Sequence, residues 1–201
     1  MQIGIIGTGT VGTVLTEGLV AAGHDVSLGS RDPGAVRVDF GADADSVAVG
    51  TQREAAAFGA VVVLALPGGV VVDVATDLAD VLAGKPVVDA TNEYPSATDD
   101  RTLAARIAAV APDADVVKAF NTIGANRMTA PVIDGKPATM FLAGDDPTAR
   151  ETVATLATDL GFDPVSVGDL DAAGHLEHLA RFWIYLSTVH GRDIGFRLLR
   201  E

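Results

Sequence analysis

Residues 2–12, QIGIIGTGTVG, decide the fold of this chain. The apolar, β-branched run at 2–6 predicts a buried strand, and a helical stretch near 10–22 follows it almost at once. The pattern GxGxxG between a strand and a helix is typical of a dinucleotide-binding turn. Its glycines allow a tight turn, close approach of the backbone to a pyrophosphate, and close packing of helix on strand. We therefore expect a pyrophosphate to lie on the free N–H groups of the helix start. The residues of this predicted site are Gly7, Thr8, Gly9, Thr10, Val11 and Gly12.

The alternation of strand and helix continues along the chain. Further apolar runs lie at 25–28, 60–66, 86–90, 115–120, 138–143 and 163–167, with helix candidates near 51–58, 69–83, 100–111 and 147–161. Strands that are apolar on both faces are typical of a parallel sheet covered by helices on both sides. The sequence thus predicts an α/β fold, a Rossmann-type doubly wound parallel sheet over 1–173. The remaining residues, 174–201, are predicted to form a small C-terminal helical segment that packs on this domain.

Composition limits the function classes. The 201 residues include 27 Asp and Glu but only 14 Lys and Arg, for a net charge of −13. Such a surface repels nucleic acid and anionic lipid, so neither is an expected partner. Cysteine is absent, which excludes disulfides, a thiolate nucleophile and Cys-ligated metals. We find no signal peptide or membrane-spanning run and expect a cytoplasmic protein, whose Asp-rich, Lys-poor composition suggests a salt-adapted, acidic proteome.

The end of the second strand indicates which dinucleotide binds. An NAD-binding chain usually places an acidic residue here, on the ribose 2′-hydroxyl. This chain has Ser30 and Arg31, a hydroxyl beside a planar guanidinium, which suit a 2′-phosphate. NADP(H) is therefore favoured. Asp32 keeps NAD open as an alternative, although its position before Pro33 is typical of a residue that starts a turn.

The ends of the later strands should line the crevice where the nicotinamide lies. These ends carry Leu66, Pro67, Gly68, Asn92, Asn121 and Thr122. They offer amides, a hydroxyl and backbone groups. Asn92 and Asn121 could instead be turn residues that satisfy nearby backbone groups, but their place on successive strand ends favours the site.

No acid or base set for catalysis is recognisable. There is no Tyr-x-x-x-Lys pattern, and Lys118 is the one lysine near the strand ends. His24 is expected to be solvated in the turn before the second strand. His175 and His178, one helical turn apart, would supply half of a metal site, but no third ligand is recognisable and an exposed helix start is favoured. We assign no catalytic residue and no metal.

The C-terminal segment holds four of the ten aromatic residues. It predicts a helix with one apolar stripe formed by Leu176, Leu179, Phe182, Trp183 and Leu186. Core packing is the expected role of Phe182 and Trp183 taken singly. The segment is also a candidate wall for a second planar ring. Two stacked redox cofactors need apolar walls and orientation more than a proton donor, because the second ring takes up the charge itself.

Several longer motifs point to one family. They are IGIIGTGTVG, LGSRDP, LALP at 64–67, VVDATNEY, VVKAFNTIGANRM at 116–128, the stretch at 168–177, and GRDIGFRLL. Over essentially its whole length the chain resembles the coenzyme F420-dependent NADP oxidoreductase family. Its nucleotide-binding portion is similar to the cytoplasmic reductase domain of STEAP metalloreductases.

The resemblance implies NADPH on the glycine-rich turn, with Ser30 and Arg31 on its 2′-phosphate. It further implies nicotinamide near Pro67 and Asn121-Thr122, and a deazaflavin ring stacked with help from the C-terminal segment, where Ile194 matches an aliphatic position. The chain departs from the family at two places. Gly68 stands where a bulky residue is frequent, and Ala35-Val36 stands where a second basic residue is found.

Together these observations predict a homodimeric NADPH-dependent oxidoreductase. It would transfer a hydride between NADP(H) and a deazaflavin (coenzyme F420) or flavin, by juxtaposition and without a covalent intermediate. One alternative is an NADPH-dependent reductase of a small imine or carbonyl, with solvent or Asn121 assisting protonation. Another is a non-catalytic module that senses NADP(H). A pocket for a second ring beside Pro67-Gly68-Gly69 and Asn121 would favour catalysis.

Overall fold

The computed structural model describes residues 1–36, 47–94 and 100–200. The strands within these ranges are β1 Gln2–Ile6, β2 Asp25–Ser30, β3 Val47–Thr51, β4 Val61–Leu64, β5 Pro86–Asp89, β6 Asp115–Lys118, β7 Val132–Ile133, β8 Lys136–Pro137, β9 Thr139–Gly144 and β10 Asp163–Gly168. The helices are α1 Thr10–Ala21, α2 Gln52–Phe58, α3 Gly68–Leu82, α4 Leu103–Val110, α5 Pro147–Asp159 and α6 Ala173–His190.

Eight strands form one sheet in the order β10-β9-β6-β5-β4-β1-β2-β3, and β7 and β8 form a separate hairpin. Strands β1 to β6 are mutually parallel, so the predicted Rossmann-type sheet is confirmed. The last two strands do not continue the parallel arrangement. Strand β9 is antiparallel to β6, and β10 runs parallel to β9. The chain between β6 and β9 contains a 3₁₀ turn and the hairpin but no crossover helix. Without a crossover it can only return antiparallel to its neighbour.

Helices cover both faces of the sheet, as the apolar strands predict. On one face α1 and α5 pack on the sheet through Leu15, Leu19, Val153 and Leu156. On the other face α2, α3, α4 and α6 do so through Ala55, Val71, Leu103 and Leu176. Along β1 the two faces alternate, with Ile3 and Ile5 on the first and Ile6 on the second.

The apolar stripe predicted for the C-terminal helix is wrong at Phe182. Its side chain is 52% exposed, whereas Leu176, Ala180 and Trp183 are buried. These buried residues follow the spacing i, i+4, i+7, and Phe182 projects about 100° away from Trp183 around the helix axis. Phe182 stacks instead on Phe196, with ring centroids 6.1 Å apart and planes 11° apart.

The prediction that His24 is solvated is also wrong, since the residue is only 9% exposed. Its Nε2 atom lies 3.1 Å from Asp159 Oδ2, at the end of α5, and its Nδ1 atom lies 3.1 Å from the Met1 amine. The turn before β2 is therefore covered by groups that are distant in sequence.

A buried ionic network ties together the ends of β5 and β6. The ammonium of Lys118 lies 2.8 Å from Asp89 Oδ2 and donates to the carbonyl of Thr91 at 2.7 Å. Lys118 and Asp89 are fully buried. Asp89 Oδ1 accepts from both the N–H and the hydroxyl of Thr91. Glu177 Oε1 lies 3.5 Å from the same ammonium and accepts from the Leu103 N–H at 2.9 Å. The network thus joins β5, β6, the start of α4 and α6.

We expect Lys118→Met to lower the free energy of unfolding by about 3–5 kcal/mol, because it leaves Asp89 buried without its counter-ion. Urea denaturation measures this loss. The matched control is Arg53→Met, which breaks the exposed ion pair with Asp80 on the surface of α2 and α3. Solvent screens that pair, so the control should change stability little. Equal losses in the two variants would contradict a special role for the buried network.

Candidate functional site

The three glycines of the turn between β1 and α1 have different surroundings. Gly7 has φ +122°, and a Cβ there would lie 2.3 Å from the Ala65 carbonyl oxygen. A Cβ at Gly12 would lie 1.9 Å from the Gly7 carbonyl oxygen. At Gly9 a Cβ would meet no atom of the described residues within 4 Å. Gly12 is thus required by the close packing of α1 on the turn after β1, and Gly7 by its positive φ and its approach to Ala65 just after β4, while Gly9 leaves space in front of the helix.

The start of α1 is suited to an anion. Gly9 is its N-cap and supplies no side-chain hydrogen bond, and the first turn carries no acidic residue. The first N–H groups of a helix have no acceptor within the helix, and the helix dipole adds partial positive charge there. Thr8 and Thr10 are exposed around this end. Val11 packs its side chain against the core, so only its backbone faces the turn.

A cleft of about 360 Å³ opens on this turn, a volume within the usual range for small-molecule sites. Its lining consists of Gly7, Thr8, Gly9, Gly29, Ser30, Arg31, Asp32, Ala35, Val36, Gln52, Ala65, Leu66 and Pro67. The structure therefore brings together the glycine-rich turn, the end of β2 and the end of β4, as the sequence predicts.

Two hydrogen-bond donors stand at the β2 end of the cleft. Ser30 Oγ accepts from the Asp32 N–H at 3.1 Å, which leaves the hydroxyl hydrogen available to a ligand. Arg31 is exposed, and no ion pair joins it to a carboxylate in the described part of the chain. Asp32 starts the 3₁₀ turn Pro33–Ala35, as its place before Pro33 predicts, and also lines the cleft. The pair Ser30 and Arg31 can therefore meet a phosphate, and Asp32 supplies the opposing charge.

Sequence reasoning missed Gln52, which also lines the cleft. It comes directly after β3, whose Thr51 pairs with Ser30 of β2. A signal for the start of α2 was present, because Thr51 and Glu54 have the spacing of a capping box and form one. The N–H and hydroxyl of Thr51 bond to the Glu54 carboxylate and hold its pKa below the ordinary value.

Asn92 and Asn121 meet at the ends of β5 and β6. Asn92 Nδ2 donates to the Asn121 carbonyl at 2.9 Å, and Asn121 Nδ2 donates to Asn92 Oδ1 at 3.2 Å and to the Leu176 carbonyl at 3.1 Å. Asn121 and Thr122 are buried, and Asn121 Oδ1 has no hydrogen-bond partner among the residues that the structure describes. Their placement on neighbouring strand ends is thus as expected, but in this conformation they tie the strand ends to α6 and lie outside the lining of the cleft.

Gly68, which stands where the resemblance predicts a bulky residue, is required by steric crowding in this chain. A Cβ there would lie 2.7 Å from the Asn92 carbonyl oxygen and 3.1 Å from Leu103 Cδ1. The start of α3 therefore approaches the end of β5 closely and leaves no room for a bulky residue. Pro67 and Gly69, on either side, remain exposed.

The residues after α6, 191–200, form a strap that returns along the chain segment between β6 and β9. Ile194 accepts from the indole N–H of Trp183 at 3.1 Å through its carbonyl. Phe196 accepts from the Thr139 N–H at 2.8 Å, and Asp193 Oδ1 accepts from Asn126 and Arg127, both at 3.0 Å. The strap is thus anchored at several points, and Ile194 lies outside the nucleotide cleft.

The histidines His175 and His178 are both exposed on the first turns of α6. Within the described ranges no three His, Cys, Asp or Glu side chains are grouped as a metal site would require. Within the same ranges no helix has the length and apolar character needed to cross a bilayer.

Comparison with known proteins identifies the family. The family profile described as NADP oxidoreductase, coenzyme F420-dependent, matches residues 2–93. A crystal structure from Arthrobacter sp. FB24, provisionally described as an F420-dependent NADP reductase, is 32% identical and covers the whole of both chains, with a TM-score of 0.90.

Two further relatives differ in length. Metalloreductase STEAP3 of Rattus norvegicus is 33% identical over 88% of this chain and 36% of its own length. The chain therefore spans about a third of that relative. Pyrroline carboxylate reductase of Plasmodium falciparum, solved with NADP bound, is 12% identical, covers 92% of this chain and 65% of its own, and has a TM-score of 0.62, which shows a shared fold. The profile, the full-length structural match and the predicted motifs agree that this chain belongs to the family of coenzyme F420-dependent NADP oxidoreductases.

Proposed function

We propose that this protein transfers a hydride between NADP(H) and a deazaflavin, coenzyme F420, or a flavin. The observation that carries the proposal is the single cleft that joins the start of α1 to Ser30 and Arg31. It has the two anion-binding ends, one for a pyrophosphate and one for a 2′-phosphate, that NADP(H) requires.

The nucleotide half of the proposal follows from the arrangement of donors. The backbone N–H groups at the start of α1 bind the pyrophosphate, with Gly9 leaving the space for its approach. Ser30 and Arg31 bind the 2′-phosphate, Arg31 through a planar fork of N–H donors. Leu66 and Pro67 line the cleft between these ends and lead towards the strand ends, where the nicotinamide would lie.

The proposal of a deazaflavin or flavin as the hydride acceptor rests on the polar groups at the strand ends, which are already engaged with each other. Among the described residues at the strand ends, Lys118 and Asp89 are fully buried and bonded to each other. The side-chain amide of Asn121 is bonded to Asn92 and to Leu176. None of these groups is placed to exchange a proton with a bound substrate. A deazaflavin or flavin suits such a site because its own ring accepts the hydride and the charge.

The protein would then act by orientation. Pro67 is exposed at the start of α3, and hydrogen bonds between the half-buried Asn92 and the buried Asn121 tie the neighbouring strand ends together. Rigid walls that hold two rings in contact can supply much of the rate enhancement of a bimolecular hydride transfer. The strap, including Ile194, forms the adjoining surface proposed for the second ring.

The alternative of an imine or carbonyl reductase assisted by Asn121 has less support. The Nδ2 group of Asn121 already donates to Asn92 and to the Leu176 carbonyl, and an amide does not release a proton at neutral pH. Solved imine reductases share the fold of this chain, but at 15–16% sequence identity this similarity does not support a shared activity.

Mixing the protein with NADPH and coenzyme F420 tests the proposal. We expect the absorbance of the oxidised deazaflavin to fall as NADPH is consumed. Parallel assays with FMN, FAD, a ferric chelate and a panel of imines and carbonyls identify the preferred acceptor. NADPH binding is measured separately by calorimetry. Binding without turnover of any flavin or deazaflavin would overturn the proposal and favour a sensing role.

Arg31 is expected to control the selectivity for NADPH over NADH. Arg31→Ala should weaken NADPH binding roughly 30-fold, the equivalent of about 2 kcal/mol for a charge-assisted contact, and leave NADH binding nearly unchanged. Titration calorimetry with both nucleotides gives the two dissociation constants. Arg53→Ala is the matched control, because Arg53 is an exposed arginine of α2 paired with Asp80 outside the cleft lining. Equal losses for NADPH and NADH would refute the role of Arg31 on the 2′-phosphate.

A further inference from the structure

The backbone of Phe120, just after β6, adopts a conformation that is rare for a bulky residue. Its φ angle is 59°, in the left-handed region, which is costly for any residue with a large side chain. The residue is buried, so this is not a loose turn on the surface. Strained backbone of this kind persists only where its surroundings hold it, and it is concentrated at functional sites.

The left-handed residue reverses the side-chain alternation at the end of β6, where neighbouring residues should face opposite sides of the sheet. Lys118 faces α6, and Ala119 belongs to the apolar cluster on the side of α1 and α5. Phe120 lies in the same cluster as Ala119. Asn121 therefore comes to face α6, where its amide donates to the Leu176 carbonyl. Without the reversal, Asn121 would face α1 and α5, and its amide would lie among apolar side chains.

A thioether holds Phe120 in this conformation. The backbone ladder between β6 and β5 extends as far as Ala119, whose N–H donates to the Asp89 carbonyl at 3.2 Å. The next N–H, that of Phe120, donates instead to Met140 Sδ at 3.1 Å. Met140 belongs to the neighbouring strand β9 and is fully buried. A buried N–H without an acceptor is costly, so this sulfur, although a weak acceptor, favours the left-handed backbone.

We propose that Met140 is a positioning residue for the hydride transfer. Its sulfur holds Phe120 and thereby keeps Asn121 on the α6 side, where Asn121 bonds to Asn92 and closes the ends of β5 and β6. The inference rests on the proposed function, in which the nicotinamide ring lies at these strand ends. If Asn121 turned to the other side, its bonds to Asn92 and α6 would be lost and this surface would move. Because Met140 is fully buried, it acts through Phe120 and not by contact with a cofactor.

Hydrogen exchange of the Phe120 amide tests the first step. Met140→Leu keeps the volume of the side chain but removes the acceptor, so we expect this amide to exchange at least roughly tenfold faster. Met128→Leu is the matched control. Met128 is buried in the same apolar cluster, and no hydrogen bond to its sulfur is found among the described residues. The Ala119 amide, which is bonded to Asp89, should stay protected in both variants.

The side-chain amide signals of Asn121 in nuclear magnetic resonance spectra, together with kinetics, test the second step. NADPH should shift these signals in the wild-type protein, because the nicotinamide ring arrives at the strand ends. Met140→Leu should move them before NADPH is added and lower kcat for the reduction of coenzyme F420 roughly tenfold, since a small misplacement of the rings slows the transfer. The dissociation constant for NADPH should change less than about threefold, because the phosphates are bound by other elements. Met128→Leu should leave all three quantities unchanged.

A second variant guards against simple unfolding. The ring of Phe120 meets Phe162 edge to face, with centroids 6.1 Å apart. Phe162→Leu removes this contact and leaves the sulfur in place, so it should speed exchange of the same amide and move the Asn121 signals. Circular dichroism and NADPH binding verify that each variant is folded. If Met140→Leu does not fold, an unchanged Phe120 amide in Phe162→Leu overturns the proposal.

The outcomes separate this role from the proposed function. Unchanged Phe120 exchange and Asn121 signals in a folded Met140→Leu variant would overturn the positioning role, as would moved signals with an unchanged kcat. If the wild-type protein binds NADPH but reduces no flavin or deazaflavin, the proposed function fails and the Asn121 signals decide alone. A shift on NADPH binding that Met140→Leu abolishes then supports the role of Met140, and the absence of any shift in the wild-type protein overturns it.

Discussion

The nucleotide cleft depends on a backbone contact that no side chain would permit. Helix α1 begins so close to β1 that a methyl group at Gly12 would overlap the carbonyl of Gly7. A methyl group at Gly7 would overlap the carbonyl of Ala65, just after the neighbouring strand β4. Glycine inside a helix costs about 0.5–1 kcal/mol relative to alanine. The fold accepts this cost at Gly12, and the start of α1 is thereby aimed at the cleft with its N–H groups uncovered.

A second constraint on the fold is the buried ionic network at the ends of β5 and β6. Lys118 and Asp89 are fully buried, and such a pair tolerates burial only when its remaining donors and acceptors are used. Here the backbone and hydroxyl of Thr91 and the carboxylate of Glu177 complete it. Because these hydrogen bonds and ion pairs join residues of β5, β6 and α6, the network holds the three elements in a fixed arrangement. A backbone-lined opening in a sheet whose strand ends are rigidly held would suit the proposed orientation of flat cofactors.

The features that could be predicted from the sequence are those encoded by local spacing. The β1–α1 turn, Ser30 and Arg31 lie within 30 residues of one another, and their spacing along the first two strands predicts that they meet at one edge of the sheet. The direction of β9 and β10 could not be predicted, because apolar periodicity is the same in parallel and antiparallel strands. Strand β3 is a short edge strand in which only Val47 is buried, so it lacks the continuous apolar run of the inner strands, and Gln52 was missed with it.

Burial that depends on residues distant in the sequence could not be predicted either. His24 is covered by Asp159, 135 residues further along the chain, and the amide of Asn121 is engaged by Leu176, 55 residues away. The sequence identifies Asn121 as a strand-end residue but does not show that α6 will occupy its hydrogen bonds. The same holds for Phe182, whose exposure follows from the rotation of α6 on the sheet and not from its hydropathy.

The net charge of −13 and the binding of a phosphate-rich dinucleotide are compatible because the two act over different distances. At physiological ionic strength charges are screened over about 8 Å, so most of the carboxylates contribute little field at the cleft. What matters there is the local set. The start of α1 has no acidic residue in its first turn, and Arg31 is unpaired among the described residues. Asp32 is the carboxylate that lines the cleft. In the proposed binding mode its charge would oppose a dianionic 2′-phosphate that Ser30 and Arg31 attract, so we expect the balance among these three consecutive residues, and not the global charge, to determine the preference between NADP(H) and NAD(H).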